Sequence, residues 1–164
     1  MADDPLVSIT IDTNDLYRTA KKLKLVPAFK AGVKAAGIYL MGVMKVYPPA
    51  TEANMPKAYP GRWYERGYGT RWEDKDGNVM GRRTSQTLFK RWATRKIDEG
   101  LGVEIGNNAG YGPYVHDKPR QARFHGLRGW PTVQDKADSE AEKVTEIISD
   151  FIAAAIEERS KPRS

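Results

Sequence analysis

Residues 105–126, IGNNAGYGPYVHDKPRQARFHG, hold both histidines of the chain, an aspartate beside the first, three cations and two tyrosines. Side chains of these kinds can move protons, bind a metal or serve as the base for a nucleophile. Their number and spacing argue against each use. A metal site needs three or four converging ligands with backing partners. His116, Asp117 and His125 supply too few, and Lys118, Arg120 and Arg123 would repel a cation. The chain has no cysteine, so thiolate ligands, disulfides and a cysteine nucleophile are excluded. The Gly-x-Ser-x-Gly elbow of serine hydrolases is missing. Gly67-Tyr68-Gly69 and the glycines between 106 and 112 lack the Gly-Lys-Ser/Thr ending of a phosphate loop, and turn geometry accounts for them. The segment reads as the end of a strand, a short turn and a surface loop that fits against another protein, and no catalytic residue, metal or cofactor is expected.

A second concentration of chemistry lies upstream, where Arg62, Trp63, Tyr64, Arg66, Tyr68, Arg71 and Trp72 interleave rings with guanidinium groups and Arg82 and Arg83 follow. Such interleaving serves as a stacking platform for single-stranded nucleic acid. The same residue types dominate the centres of protein interfaces. No RRM, KH, OB or helix-turn-helix pattern accompanies them, so a subunit or partner interface is the preferred reading, extended to His116, Arg120 and Arg123. A nucleic-acid-binding module built on residues 61–96 is the alternative. The net charge of +6 is unevenly placed: residues 61–96 carry ten Lys/Arg against four Asp/Glu, whereas residues 131–159 carry three against eight. One basic region and one acidic helix on one chain can steer docking.

The elements that must position these residues follow from periodicity. Residues 6–12, LVSITID, alternate as a half-buried strand does. Thr13, Asn14 and Asp15 are good helix caps, and a first helix over residues 16–25 ends before Pro27, which can open a second helix at its first turn. There Phe29, Val33, Ala36, Leu40, Val43 and Tyr47 form an apolar stripe that Pro48-Pro49 terminates. Gly32, Gly37 and Gly42 weaken this helix by roughly 1 kcal/mol each relative to alanine, and close approach of another element would explain them. Residues 48–84 form a long Pro-, Gly-, Tyr-, Trp- and Arg-rich connection in which DKDGN, residues 74–78, has the chemistry of a hairpin tip. Trp72 on one side and Val79 and Met80 on the other would flank it, giving a β-hairpin arm. Residues 88–97 are strand-like in parts, residues 98–100 form a turn and residues 102–106, GVEIG, form the partner strand. Pro131 then opens a long helix to about residue 159, with Val133, Ala137, Ala141, Val144, Ile148, Phe151 and Ala155 on one stripe widened by Ile147, Ile152 and Ile156. Residues 160–164 read as a frayed tail. The expected fold class is α+β: one domain over residues 1–164, with a small antiparallel sheet against long N-terminal and C-terminal helices and a protruding β-hairpin arm. No stretch reaches the ~20 apolar residues of a membrane span, and no membrane partner or secretory signal is expected.

Within this order of elements, IGNNAGYGPYVHD resembles the signature of the tail-component family typified by gene product 10 of phage HK97. Members pair a strand ending in Gly-Asn with Tyr-Ala-x-Tyr-Val-Glu. They place a Thr/Ser-Gly-x-Leu segment before the central strands and close with a C-terminal helix. The matching positions are Gly106, Asn107, Tyr111, Pro113, Tyr114 and Val115, with residues 85–88 as the upstream segment. Gly112 replaces the usual alanine, His116 replaces the usual glutamate, and about 35 residues separate Pro49 from Ser85 where members are shorter. The resemblance implies a structural protein of a long-tailed bacteriophage virion. It would be a neck or tail-completion subunit, assembled in the host cytoplasm, that forms a homo-oligomeric ring at the head–tail junction. Other neck, connector or tail proteins would be its partners, and phage DNA would pass through the lumen. It transfers no catalytic residue. Tyr111 to Val115 are expected to form a short turn or helical piece with the aromatics packed inward, and residues 118–126 a basic surface loop.

Overall fold

The computed structural model describes residues 6–9, 11–48, 63–65, 69–81 and 86–161, with the backbone alone at 63–65, 69 and 70. Among the described residues the fold is α+β, as the sequence pattern predicts. Its long elements are α2 (Val26–Met44) and α6 (Val133–Ser160), preceded by the short helix α1 (Asn14–Lys22). The core sheet has the order β1-β6-β5, with β1 (Val7–Ile9) and β5 (Trp92–Ile97) each antiparallel to the central β6 (Gly102–Asn107). Val7, Ile9, Ile105 and Trp92 point from the sheet into the core, where they meet Phe29, Val33, Leu40 and Met44 of α2 and Val144, Ile148 and Ile152 of α6.

The helix α2 begins at Val26 with Pro27 in its first turn, where a missing N–H costs nothing. Its buried stripe is Phe29, Val33, Ala36, Leu40 and Met44; Val43, expected on the stripe, is half-buried, and Tyr47 lies beyond the end of the helix. Two of its three glycines permit close approach. A β-carbon on Gly32 would lie 2.9 Å from the Ile148 Cα of α6, and one on Gly37 would lie 2.7 Å from the Val103 side chain of β6. Gly42 has nothing within 4 Å. The helix α6 runs antiparallel to α2, pinned at both ends. Tyr39 donates its hydroxyl to Glu140 at 2.6 Å, holding that carboxyl below its usual range, and Arg159 donates to the carbonyls of Leu23 and Lys24 at 3.0 and 2.8 Å.

Several boundaries move relative to the sequence expectation. Thr132, not Pro131, starts α6: its hydroxyl oxygen accepts from the Asp135 N–H at 3.1 Å, leaving Pro131 outside the helix. Thr13 precedes α1 without a side-chain cap, while Asp12 accepts from the Asn14 N–H at 2.9 Å. A helical turn, α3 (Thr87–Lys90), occupies part of the strand-like run before β5. The turn expected at 98–100 is present, with Asp98, Glu99 and Gly100 all at positive φ.

The hairpin tip is also where the sequence puts it. β3 (Gly69–Glu73) pairs with β4 (Val79–Gly81), with Trp72 opposite Met80 and Glu73 opposite Val79, and β2 (Trp63–Glu65) adds a third strand. Asp74 accepts from the backbone N–H groups of Asp76 and Asn78, both at 2.9 Å, and these bonds hold its carboxyl below the usual range. Gly77, at φ +81°, closes the turn. This sheet shares no strand pairing with the core sheet.

The glycine contacts separate two substitutions of the same type. Gly32→Ala should lower stability by about 1–3 kcal/mol, because the clash is with backbone that cannot step aside. Gly42→Ala, in open space, should raise it by up to about 1 kcal/mol. Thermal unfolding followed by circular dichroism checks both; equal midpoints for the two variants would refute the close-packing account.

Candidate interaction surface

The segment from β6 to α6 is built around Leu88. Asn107, at the end of β6, is fully buried; its side-chain amide donates to the Leu88 carbonyl at 2.8 Å, and its oxygen accepts from the Ala109 N–H at 2.8 Å. The Tyr111 hydroxyl accepts from the Leu88 N–H at 3.1 Å. Both polar groups of one residue in α3 are therefore held by the Gly-Asn and Tyr positions of the downstream motif. Leu88, Ala109 and Val115 pack together, with Trp130 against them. Gly112 opens α4 (Gly112–His116), and a β-carbon there would sit 3.4 Å from the Asn107 side-chain oxygen, an ordinary contact. Glycine in place of alanine at this position is thus sterically neutral.

The tyrosines do not pack inward. Tyr111 is 48% and Tyr114 58% exposed, while Pro113, Val115 and His116 take the buried side of α4. Tyr111 precedes the helix and reaches back to Leu88 with its hydroxyl while about half of the residue stays exposed. His116, expected at a partner interface, is instead fully buried between Trp92 and Trp130, at ring separations of 5.2 and 5.6 Å. Its Nδ1 lies 2.7 Å from the Pro131 carbonyl oxygen, so that nitrogen carries the proton and donates. Burial lowers its pKa to about 4. The cavity touching it measures about 10 Å³, too small for a substrate. His125 is half-buried and its pKa is also lowered, by burial and then by Arg128.

Residues 117–121 tie this segment to α6. Asp117 is buried and accepts from Arg120 and from the Gln134 side chain. The Lys118 ammonium donates to Asp135 at 2.6 Å, a bond that lowers the carboxyl's pKa and raises the amine's. Gln121 donates to the carbonyls of Val115 and Trp130 at 2.7 and 2.9 Å. The expected basic loop contains a short helix, α5 (Arg123–Leu127). Arg120 and Arg123 are exposed on it or beside it, together with Tyr114, Phe124 and Leu127. Arg128, which no local pattern singles out, is 1% exposed and lies over the Phe124 ring at 4.5 Å.

Of the arm residues, Arg62, Arg66, Tyr68, Arg82 and Arg83 lie outside the described residues, and Trp63 and Tyr64 are described by backbone only. Trp72 is 38% exposed beside the half-buried Arg71, and Val79 and Met80 are exposed on the facing strand. Among the described residues no three His, Cys, Asp or Glu side chains come together as metal ligands, and no helix is long and apolar enough to cross a membrane. Comparison of the chain with family models, with curated proteins and with solved structures gave no match.

Two measurements follow from this geometry. Asn107→Asp removes the donor to Leu88 and should cost about 1–3 kcal/mol, with a smaller loss of about 1 kcal/mol for Tyr111→Phe. Urea unfolding that ranks the two equally with wild type would refute the lock on Leu88. The buried neutral His116 makes stability depend on pH. Above pH 6.5 the imidazole is neutral in both states; below it the unfolded chain takes up a proton that the folded chain refuses until about pH 4. Stability should therefore fall from pH 6.5 towards 4, by up to about 1.4 kcal/mol per pH unit from this group. His116→Asn, which keeps a donor but cannot titrate, should flatten that slope in urea titrations across the same range; an unchanged slope assigns the loss to other groups.

Proposed function

We propose that this chain is a structural subunit of a long-tailed bacteriophage virion, a neck or tail-completion protein that assembles into a homo-oligomeric ring at the head–tail junction. The observation that carries this reading is the convergence on Leu88. The resemblance rests on three separate pieces of sequence: Ser85-Gln86-Thr87-Leu88 in the place of the Thr/Ser-Gly-x-Leu segment, a strand ending in Gly-Asn, and the Tyr-x-Pro-Tyr-Val run. These pieces meet at one place, with Asn107 and Tyr111 bonded to the two ends of the Leu88 residue. That the three pieces are joined by side-chain bonds supports reading them as one motif.

The polar groups of the motif are used internally, and what remains outside is suited to contact: Tyr114, Phe124 and Leu127 beside Arg120 and Arg123, and the arm's Trp72, Val79 and Met80. Tyrosine, tryptophan and arginine are the residues enriched at interface centres. A ring needs one patch of a subunit to meet a different patch of the next. The arm is read as reaching a neighbouring subunit or another virion protein.

Native mass measurement and negative-stain imaging of the purified chain test this reading. A closed particle whose mass is a whole multiple of 18.4 kDa is expected, and deletion of residues 58–80 should leave the core folded but unable to assemble. A monomer that binds single-stranded DNA, with affinity falling steeply as salt rises, would favour the nucleic-acid reading instead.

A further inference from the structure

The two long helices give the subunit opposite flanks. On α2, Lys30, Lys34 and Ile38 follow at four-residue spacing on the side turned from α6, since Gly32 and Tyr39, which meet α6, lie about half a turn away. Beside them β5 overhangs the helix. Thr94 and Lys96 share the helix-facing side of the sheet with their partners Ile105 and Val103, yet both are exposed. Between the overhang and α2 runs a groove of about 390 Å³, with Val103 and Gly102 from the central strand, Ala31 and a 53% exposed Ile38 from the helix, and Lys34 and Lys96 on its two sides. Lys30 is already engaged, donating to the Glu99 carbonyl at 2.7 Å.

The far side of α6 has the opposite character. Asp138, Glu142, Glu146 and Asp150 recur every fourth residue and are all exposed. Like charges at this spacing repel and weaken a helix. Asp138 and Glu142 lie roughly opposite the edge of α6 that meets α2 through Glu140 and Phe151. Neither forms a salt bridge among the described residues, and neither do Lys34 and Lys96, although Glu146 is bonded to Lys143 at 2.7 Å.

We propose that the groove between α2 and β5 receives the acidic flank of α6 from a second copy of this chain. Charge selects the occupant: the groove has an apolar floor between Lys34 and Lys96, which form no salt bridge among the described residues, with Glu99 also in its lining. It fits a helix whose Asp138 and Glu142 are likewise unbridged there, and this chain presents such a helix on its other side. A symmetric pairing of groove with groove would set lysine against lysine. The contact is therefore head to tail, the kind that repeats in one direction and can close into a ring. The inference rests on the reading of the chain as a self-assembling subunit, and names the two surfaces that mate.

The test is native mass spectrometry and sedimentation of the full chain as wild type, as Lys34→Glu with Lys96→Glu, as Asp138→Lys with Glu142→Lys, and with all four changes. Each reversed pair should weaken self-association about tenfold or more, and combining them should restore it to within about threefold. Raising salt from about 50 to about 500 mM should weaken the wild type in the same direction. All four positions are exposed, and thermal melts of the variants within a few degrees of wild type would confirm intact folding. Oligomers unaffected by either reversal overturn this interface and leave the ring reading standing. A wild-type chain that remains monomeric at millimolar concentration overturns both.

Discussion

The arrangement depends on how closely α2 and α6 approach at Gly32. There a β-carbon on Gly32 would lie 2.9 Å from the Ile148 Cα and 3.3 Å from the Phe151 Cβ, so the two helix backbones approach closely. Only glycine allows this spacing, and the two helices consequently share a continuous apolar layer through Phe29, Val33, Ile148 and Ile152. On the adjoining face of α2, Gly37 admits Val103 of β6, so the same helix is pressed against both the second helix and the central strand. Tyr39 with Glu140 at one end, and Arg159 with Leu23 and Lys24 at the other, fix the register of the antiparallel pair. The position of β5 beyond one side of α2, and of the acidic row on the far side of α6, follows from that contact.

A second constraint fixes the segment between β6 and α6. Its polar side chains are spent on backbone groups that would otherwise be buried without partners: Asn107 and Tyr111 on Leu88, His116 on Pro131, Gln121 on Val115 and Trp130. An unmade bond of this kind costs more than a made one contributes, so each of these side chains is constrained in type by the backbone group it bonds. His116 illustrates the difference between composition and environment. A histidine beside an aspartate reads as a catalytic pair, but here the imidazole is sealed between two indoles and kept neutral, while Asp117 turns to Arg120 and Gln134.

What was legible in the sequence was local. The apolar spacing of α6, the proline that opens α2, the turn at 98–100 and the Asp74 to Asn78 tip all depend on periodicity or turn chemistry within a few residues; each element is found where those signals place it, although Phe151 and Ile156, expected on the α6 stripe, are 41% and 46% exposed. The direction of the tyrosines, the burial of His116 and Arg128 and the helical turn at Thr87–Lys90 depend on partners far away in the chain. Tyr111 is the instructive miss: an aromatic beside a glycine-rich turn reads as core, yet it is 48% exposed and its hydroxyl bonds a residue 23 positions upstream. The groove beside α2 was equally hidden. It exists because β5, buried only at Trp92, runs past the helix that covers its neighbour, and no local pattern encodes where a helix stops covering a sheet.

The chemistry of β5 also bears on what kind of element can dock there. An open strand edge invites another strand, and charges on the edge are a common way to prevent indiscriminate pairing. Here Arg95 is held by Glu104 across the sheet at 2.6 Å on one face, and Lys96 stands on the other. A strand added to this edge would have to accommodate Lys96 beside Lys34 with no countercharge among the described residues of either element. A helix bearing carboxylates at four-residue spacing meets both lysines without using the strand's backbone at all. The charges that disfavour an added strand on β5 also suit the proposed seat for an acidic helix, and the other long helix of the chain carries an exposed row of carboxylates.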